Sequence, residues 1–229
     1  TVSTASASGA QAQRVAAIGL FARYFAGDIG GGGLALALTT AILADEAFTA
    51  RSGTEHLDSR TQNPNVFPEN APWSPYGNAY NGIVRAIRAL NAFPPAGTAK
   101  ATQIGQLYML DGFTLTLLAE AYCNGVPVST IDDNGAIHYG SPESNAQIFH
   151  RAHALLDTAR LIAIAAGDPD REYLARVGEA RALVDSSKAN LAAAAALVAS
   201  VPTSFQYKIF HSSNTPRQQN GLWELMFNE

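Results

Sequence analysis

The stretch ATQIGQLYMLDGFTLTLLAEAYCNGVPV, residues 101–128, decides the fold. Its apolar residues fall on two helical stripes: Ile104, Tyr108, Leu115 and Leu118 on one, Leu107, Leu110, Leu117 and Ala121 on the other. A helix that is apolar on both sides has to lie between other helices, because either side left in water would expose a continuous apolar face. Thr102 or the residues just before it cap its start. The helix runs to about Tyr122, after which Gly125 and Pro127 break the chain.

Toward the C-terminus, residues 126–139 carry short β-prone runs around Asp132-Asp133-Asn134-Gly135, and Asn-Gly between extended runs predicts a hairpin. Ser141 and Ser144 offer caps for a helix to about residue 166, with Ile148, Ala152, Leu155, Ala159 and Ile162 in phase. Asp168 and Pro169 then open a turn. A helix over 171–183 places Leu174, Val177 and Ala180 in phase, and an Ala-rich helix over 187–200 suits close helix contact.

Toward the N-terminus, residues 79–93 read as a helix with Tyr80, Ile83, Ile87 and Leu90 on one face and Arg85 and Arg88 pointing away; Pro94 and Pro95 stop it. Residues 10–25 form another, with Val15, Ile18, Phe21 or Ala22, and Phe25 in phase, ended by the Gly-rich run 27–33. A second apolar segment covers 34–48, and a Pro/Asn/Ser-rich loop of about 25 residues covers 51–75. The expected fold class is all-α: antiparallel helix pairs stacked in a tetratricopeptide-like array, with a short β-hairpin near 126–139 and long irregular loops. No clean repeat of about 34 residues accompanies it.

With 229 residues, 47% hydrophobic and 15% charged, the chain can bury a substantial core, and residues 1–229 are expected to form a single helical domain. The net charge of -4 and the scattered Lys and Arg residues leave no electrostatic footprint for nucleic acid. One cysteine, Cys123, cannot form an intrachain disulfide and is expected as a small buried thiol. No apolar run reaches the roughly 18 residues that crossing a bilayer requires. Residues 1–10 form a Ser/Thr/Ala/Gly string unlike a signal peptide, and Trp223, Leu225 and Phe227 begin an apolar segment at the very end. The expectation is a piece of a longer chain.

The segment AEAYCNGVPV, residues 119–128, resembles the SusD/RagB hallmark, in which a helix of RA-x-x-Y type runs into an aromatic-G-x-V-P-hydrophobic turn. Here the turn reads Cys123-Asn124-Gly125-Val126-Pro127, a variant that keeps the glycine and proline. Other blocks follow in the family's order. Residues 73–91 resemble its W-x-x-x-Y-x-x-I-x-x-x-N element, and 148–163, with Leu156-Asp157-Thr158, its Asp-Leu helix. Residues 175–202 are similar to its tetratricopeptide pair, and 214–227 resemble its N-x-x-x-E strand region.

Together the blocks cover roughly residues 10–229. The resemblance implies a non-catalytic lipoprotein at the bacterial cell surface, on the outer membrane. Its implied role is to bind a glycan or other nutrient and deliver it to a TonB-dependent, SusC-like transporter. The anchoring cysteine is absent from this sequence, so membrane association is expected through an upstream lipid anchor. The alternative is a structural or interaction subunit, of a surface layer, fibre or complex, built on the same helices.

Sugars are held by aromatic faces and by Asn, Asp and Arg hydrogen bonds. Residues 51–80 contain Phe67, Trp73, Tyr76 and Tyr80 among Asn63, Asn65, Asn70 and Asn78. Trp73, Tyr76, Asn78 and Tyr80 are the candidate ligand contacts; the plainer reading makes Trp73 and Tyr80 plugs of the helix stack. No catalytic residue, metal or cofactor is expected. The glycine run lacks a Lys-Ser/Thr, so it is a turn rather than a phosphate loop. His150 and His153 share a helical face but lack a third ligand in sequence. Asp45-Glu46 and Asp132-Asp133 are adjacent pairs that cannot face each other across a glycosidic bond, and Asp132 to Gly135 suits turn chemistry.

Overall fold

The helix expected to be apolar on both sides is α5, Ala99–Ala121, and thirteen of its residues are buried, from Ile104 to Ala119. The structure is a computed structural model that describes residues 5–27, 36–47, 55–61, 73–97, 99–132, 134–221 and 223. In chain order the helices are α1 (Ala7–Ala26), α2 (Leu36–Leu43), α3 (Glu55–Asp58), α4 (Trp73–Ala92), α5, α6 (Asn145–Ala166), α7 (Pro169–Ser186) and α8 (Leu191–Val198). Between α5 and α6 lie β1 (Val126–Pro127), β2 (Thr130–Ile131), β3 (Ile137–His138) and β4 (Pro142–Glu143). The described fold is thus all-α with short antiparallel strand pairs. It divides into two units, residues 1–18 with 80–208 and residues 19–79 with 209–229.

In the larger unit α5 packs on α6, α6 on α7 and α7 on α8. Only Gly167 and Asp168 separate α6 from α7, so this packed pair runs antiparallel. Gly167 adopts φ 64°, the Gly167 N–H donates to the Ile164 carbonyl and the Asp168 N–H to that of Ala163, the left-handed stop that glycine makes easy. Asp168 then caps α7 by accepting from the Arg171 N–H, with Pro169 in its first turn.

At the start of α6 the expected cap, Ser144, forms a full capping box with Gln147. Next to it, Asn145 Nδ2 donates to the Ala119 carbonyl at 2.5 Å and the Tyr122 carbonyl at 2.9 Å, while Asn124 Oδ1 accepts from the Asn145 N–H at 2.7 Å. Carbonyls at the end of α5 are thereby used to fix the start of α6.

The core pivots on Leu156, fully buried with Met109, Ala159, Leu174 and Ala175. A Cβ on Gly112 of α5 would lie 2.5 Å from Leu156 Cγ, and one on Gly178 of α7 would lie 2.8 Å from Leu156 Cδ2. Glycine at both positions lets this side chain sit between two neighbouring helices. Gly105 gives Ile162 the same clearance, its Cβ position lying 2.7 Å from Ile162 Cγ2.

Several phases expected from the sequence shift by a residue. On α6 it is Leu156 rather than Leu155 that is buried, and Ile162 is only half-buried. Val177 of α7 is exposed, because Ala175, Gly178 and Ala182 form the small-residue face that meets its neighbours. On α1, Ala10, Ala17, Phe21 and Tyr24 are buried while Val15 is 63% exposed. The Ala-rich segment is a 3-10 turn followed by α8, of which only Ala194 is buried. Cys123 is exposed rather than buried, because α5 has already ended at Ala121 and the turn carries the side chain into solvent.

The smaller unit joins the second half of α1 to the start of α4 through aromatic rings. Tyr24 and Tyr76 have centroids 6.1 Å apart, Trp73 and Tyr76 5.3 Å. There α2 packs on α3, and Arg60, just past α3, donates to the Leu43 carbonyl and pairs with Asp45. The Gly-rich run beyond Gly27 lies outside the described residues.

Leu156→Ala is expected to destabilise the protein by about 2–5 kcal/mol and Gly178→Ala by roughly 1–3 kcal/mol through overpacking. The double variant should cost less than the sum, since the smaller side chain vacates the space the new methyl needs. Urea unfolding of the four proteins measures this. Additive costs would show that the two positions do not compete for one volume.

Candidate functional site

The chain turns between β2 and β3 through Asp132, whose side chain organises the reversal. Asp132 Oδ1 accepts from the N–H groups of Asn134 (2.9 Å) and Ala136 (2.8 Å), and Oδ2 lies 3.2 Å from His138 Nε2. Those backbone N–H groups, first among them that of Ala136, and then His138, hold the Asp132 carboxyl below its ordinary range. Gly135 takes φ 84° and donates to the Asp132 carbonyl at 3.1 Å. The ladder pairs Thr130 with His138 and Ile131 with Ile137, while β1 and β4 form a separate two-stranded sheet that pairs Val126 with Glu143. The predicted hairpin is present, with a second short ladder below it.

Beside this turn runs the outer face of the last turns of α4. Ile83, Ala86 and Leu90 are buried, so the helical period turns Arg85, Arg88 and Asn91 outward. The two segments, together with Ala5 and Gln13 near the start of the chain, bound an open groove of about 730 Å³, with Arg85, Arg88, Asn91 and Phe93 on the helix side and Ile131, Asp132 and Asn134 on the turn side. Guanidinium, amide and aromatic groups around one concavity are the chemistry that holds a polar, ring-shaped ligand. From the sequence, Arg85 and Arg88 were a solvent-facing stripe and Asp132 to Gly135 a turn. Nothing in either segment alone signals the other.

The four residues named from the sequence lie in the first two turns of α4, which starts at Trp73 instead of inside a loop ending at Pro75. Pro75 fits there because the first turn of a helix needs no N–H from it. Tyr76 and Tyr80 are buried, so their rings pack the interior instead of presenting a face to solvent. Trp73 is half-buried and Asn78 exposed. Phe67, Asn63, Asn65 and Asn70 lie outside the described residues.

A second polar cluster lies inside the larger unit. Arg151 hydrogen-bonds Tyr80 and donates from Nη1 to Glu143 Oε1 at 2.6 Å. Glu143, Gln147, His150 and Arg151 line a shallow surface hollow of about 460 Å³. Asp111, buried in the middle of α5, feels the charge of Arg151, yet its Oδ1 has no hydrogen-bond partner among the described residues. Burial pushes its carboxyl up from 3.8 to about 7, and Arg151 only partly opposes this. Tyr80 is likewise raised, by burial first and by Asp111 second.

Elsewhere, Arg160 Nε donates to the buried Glu179 at 2.7 Å, and Arg181 grips Glu120 with two bonds of 2.5 Å. His153 faces Glu179 at 3.9 Å. Among the described residues no three His, Cys, Asp or Glu side chains come together as a metal site, and no helix is long and apolar enough to cross a membrane.

The Asp111 shift predicts a pH dependence. The folded state holds this proton more tightly than the unfolded chain, so its contribution is full below about pH 4 and lost as pH rises through about 7. Moving a carboxyl that far corresponds to on the order of 4 kcal/mol. Asp111→Asn should therefore flatten the fall in melting temperature between pH 5 and pH 8. An unchanged slope in thermal unfolding would show that Asp111 ionises in the fold without penalty.

No protein-family model and no curated protein matches the chain. Among solved structures it is similar to a SusD-like protein from Bacteroides fragilis, at 13% identity and a TM-score of 0.51, over 89% of this chain and 37% of that one. The chain thus spans little more than a third of that protein's length. At such low identity the shared property is the backbone arrangement, and on that ground the chain has a SusD-like fold.

Proposed function

We propose that the chain binds a glycan or other nutrient at the bacterial cell surface and hands it, without covalent chemistry, to a TonB-dependent, SusC-like transporter. The SusD-like fold over 89% of the chain carries this reading. The groove between α4 and the β2–β3 turn supplies the chemistry, with amide and guanidinium donors for hydroxyl groups and the partly exposed Phe93 ring for the apolar side of a sugar. Attachment to the outer membrane is part of the same proposal, through a lipid anchor carried upstream. So is the view that the whole chain serves as one helical scaffold for the site.

The groove residues contribute through many weak contacts around an open concavity, so affinity for a short oligosaccharide is expected in the micromolar to millimolar range. The test is a glycan array followed by calorimetry on the best binder. Phe93→Ala with Asn91→Ala is expected to weaken that binding about ten-fold or more, equivalent to ~1.4 kcal/mol. Trp73→Ala and Asn78→Ala form the other arm. If they abolish binding while the groove variant retains it, the ligand lies at the start of α4 and not in the groove. Co-purification with a co-expressed SusC-like transporter tests delivery, and absence of both saccharide and transporter binding overturns the proposal.

A further inference from the structure

We infer that the groove takes an anionic saccharide, with Arg85 and Arg88 gripping a carboxylate or sulfate on the sugar. This rests on the proposal that the groove is a ligand site, and adds the class of ligand. Arg85 and Arg88 stand one turn apart on α4, so their side chains leave the same helical face as neighbours. Both line the groove. Each guanidinium carries five N–H donors in a planar fork that matches carboxylate or sulfate oxygens, so a guanidinium with one contact already made retains others.

This positive pair belongs to an acidic protein, of net charge -4, and does not reflect a generally basic surface. Among the described lining residues the acidic side chain is Asp132, which is directed into its own turn by the N–H groups of Asn134 and Ala136 and by His138. Its charge therefore sits at the turn wall and is partly met there. The helix wall is the positive one, and a ligand anion is drawn to that side while Asn91, Phe93 and Asn134 are left for hydroxyl groups and ring faces.

The experiment is calorimetry on the full chain with three probes: an unsulfated chondroitin tetrasaccharide, its 4-sulfated form and its carboxyl-reduced neutral form. At low salt the charged probes are expected to bind about ten-fold or more tighter than the neutral one, and the gap should close at roughly 0.3 M salt. A preference shown by both charged probes assigns the anion to carboxylate, and one shown by the sulfated probe alone assigns it to sulfate. Arg85→Gln with Arg88→Gln should remove the preference, bringing the charged probes down to the affinity of the neutral one. Circular dichroism checks that the variant folds, and Arg85→Gln alone, at an exposed position, makes the same test if it does not. Equal binding of neutral and charged probes, or a preference that survives the double variant, overturns the anionic assignment and leaves saccharide capture standing. Absence of binding by all three probes overturns it too, while the glycan array separately decides capture.

Discussion

Leu156 occupies space that two absent side chains leave open, at Gly112 of α5 and Gly178 of α7, and the packing of α5, α6 and α7 follows from that one fit. A close-packed interior has no room to absorb an extra carbon, so either glycine replaced by a larger residue would push a neighbouring helix away. Ala152, Ala159, Ala163, Ala175 and Ala182 extend the arrangement as a set of small buried residues around the larger side chains. α5 can be apolar nearly all round because its neighbours approach this closely.

Such closeness leaves polar groups that have to be satisfied locally or held at a cost. At the end of α5 the carbonyls of Ala119 and Tyr122 are taken by Asn145, and the same residue begins α6, so the strands between the helices leave and return at fixed points. That anchoring, with the two short ladders, holds the β2–β3 turn beside the last turns of α4. Asp111 is the opposite case. It lies where burial favours the neutral acid, with Arg151 near enough to moderate the effect but not to cancel it. Glu179 is also buried but is bonded directly by Arg160.

Much of the fold was legible in the sequence. The doubly apolar helix, the Asn-Gly hairpin and the Ser144 cap each depend on a few neighbouring residues, and each stands where those residues placed it. The turn expected at Asp168 and Pro169 is already the cap and first residue of α7. Phase was harder. Apolar spacing favoured Leu155, Ile162 and Val177, yet the buried positions on these helices include Leu156, Ala163 and Gly178. Size and hydrophobicity identify a stripe, whereas the holes on the facing helix choose which residue fills it. Trp73 looked like loop because Pro75 follows it, although proline is at home in a first helical turn.

The candidate site was less legible. Arg85, Arg88, Asp132 and Asn134 each had a sufficient local account, as a solvated face or a turn, and no periodicity links residues of α4 to those of a hairpin beyond α5. The sequence by itself determined the kinds of element and their caps, because helical period, turn residues and capping side chains act over a few bonds. Only the tertiary structure decided that Leu156 is the central side chain, that Asp111 loses its water, and that two unremarkable polar segments face one another across a groove. Those properties arise from the surfaces distant segments present to each other, which no single segment contains.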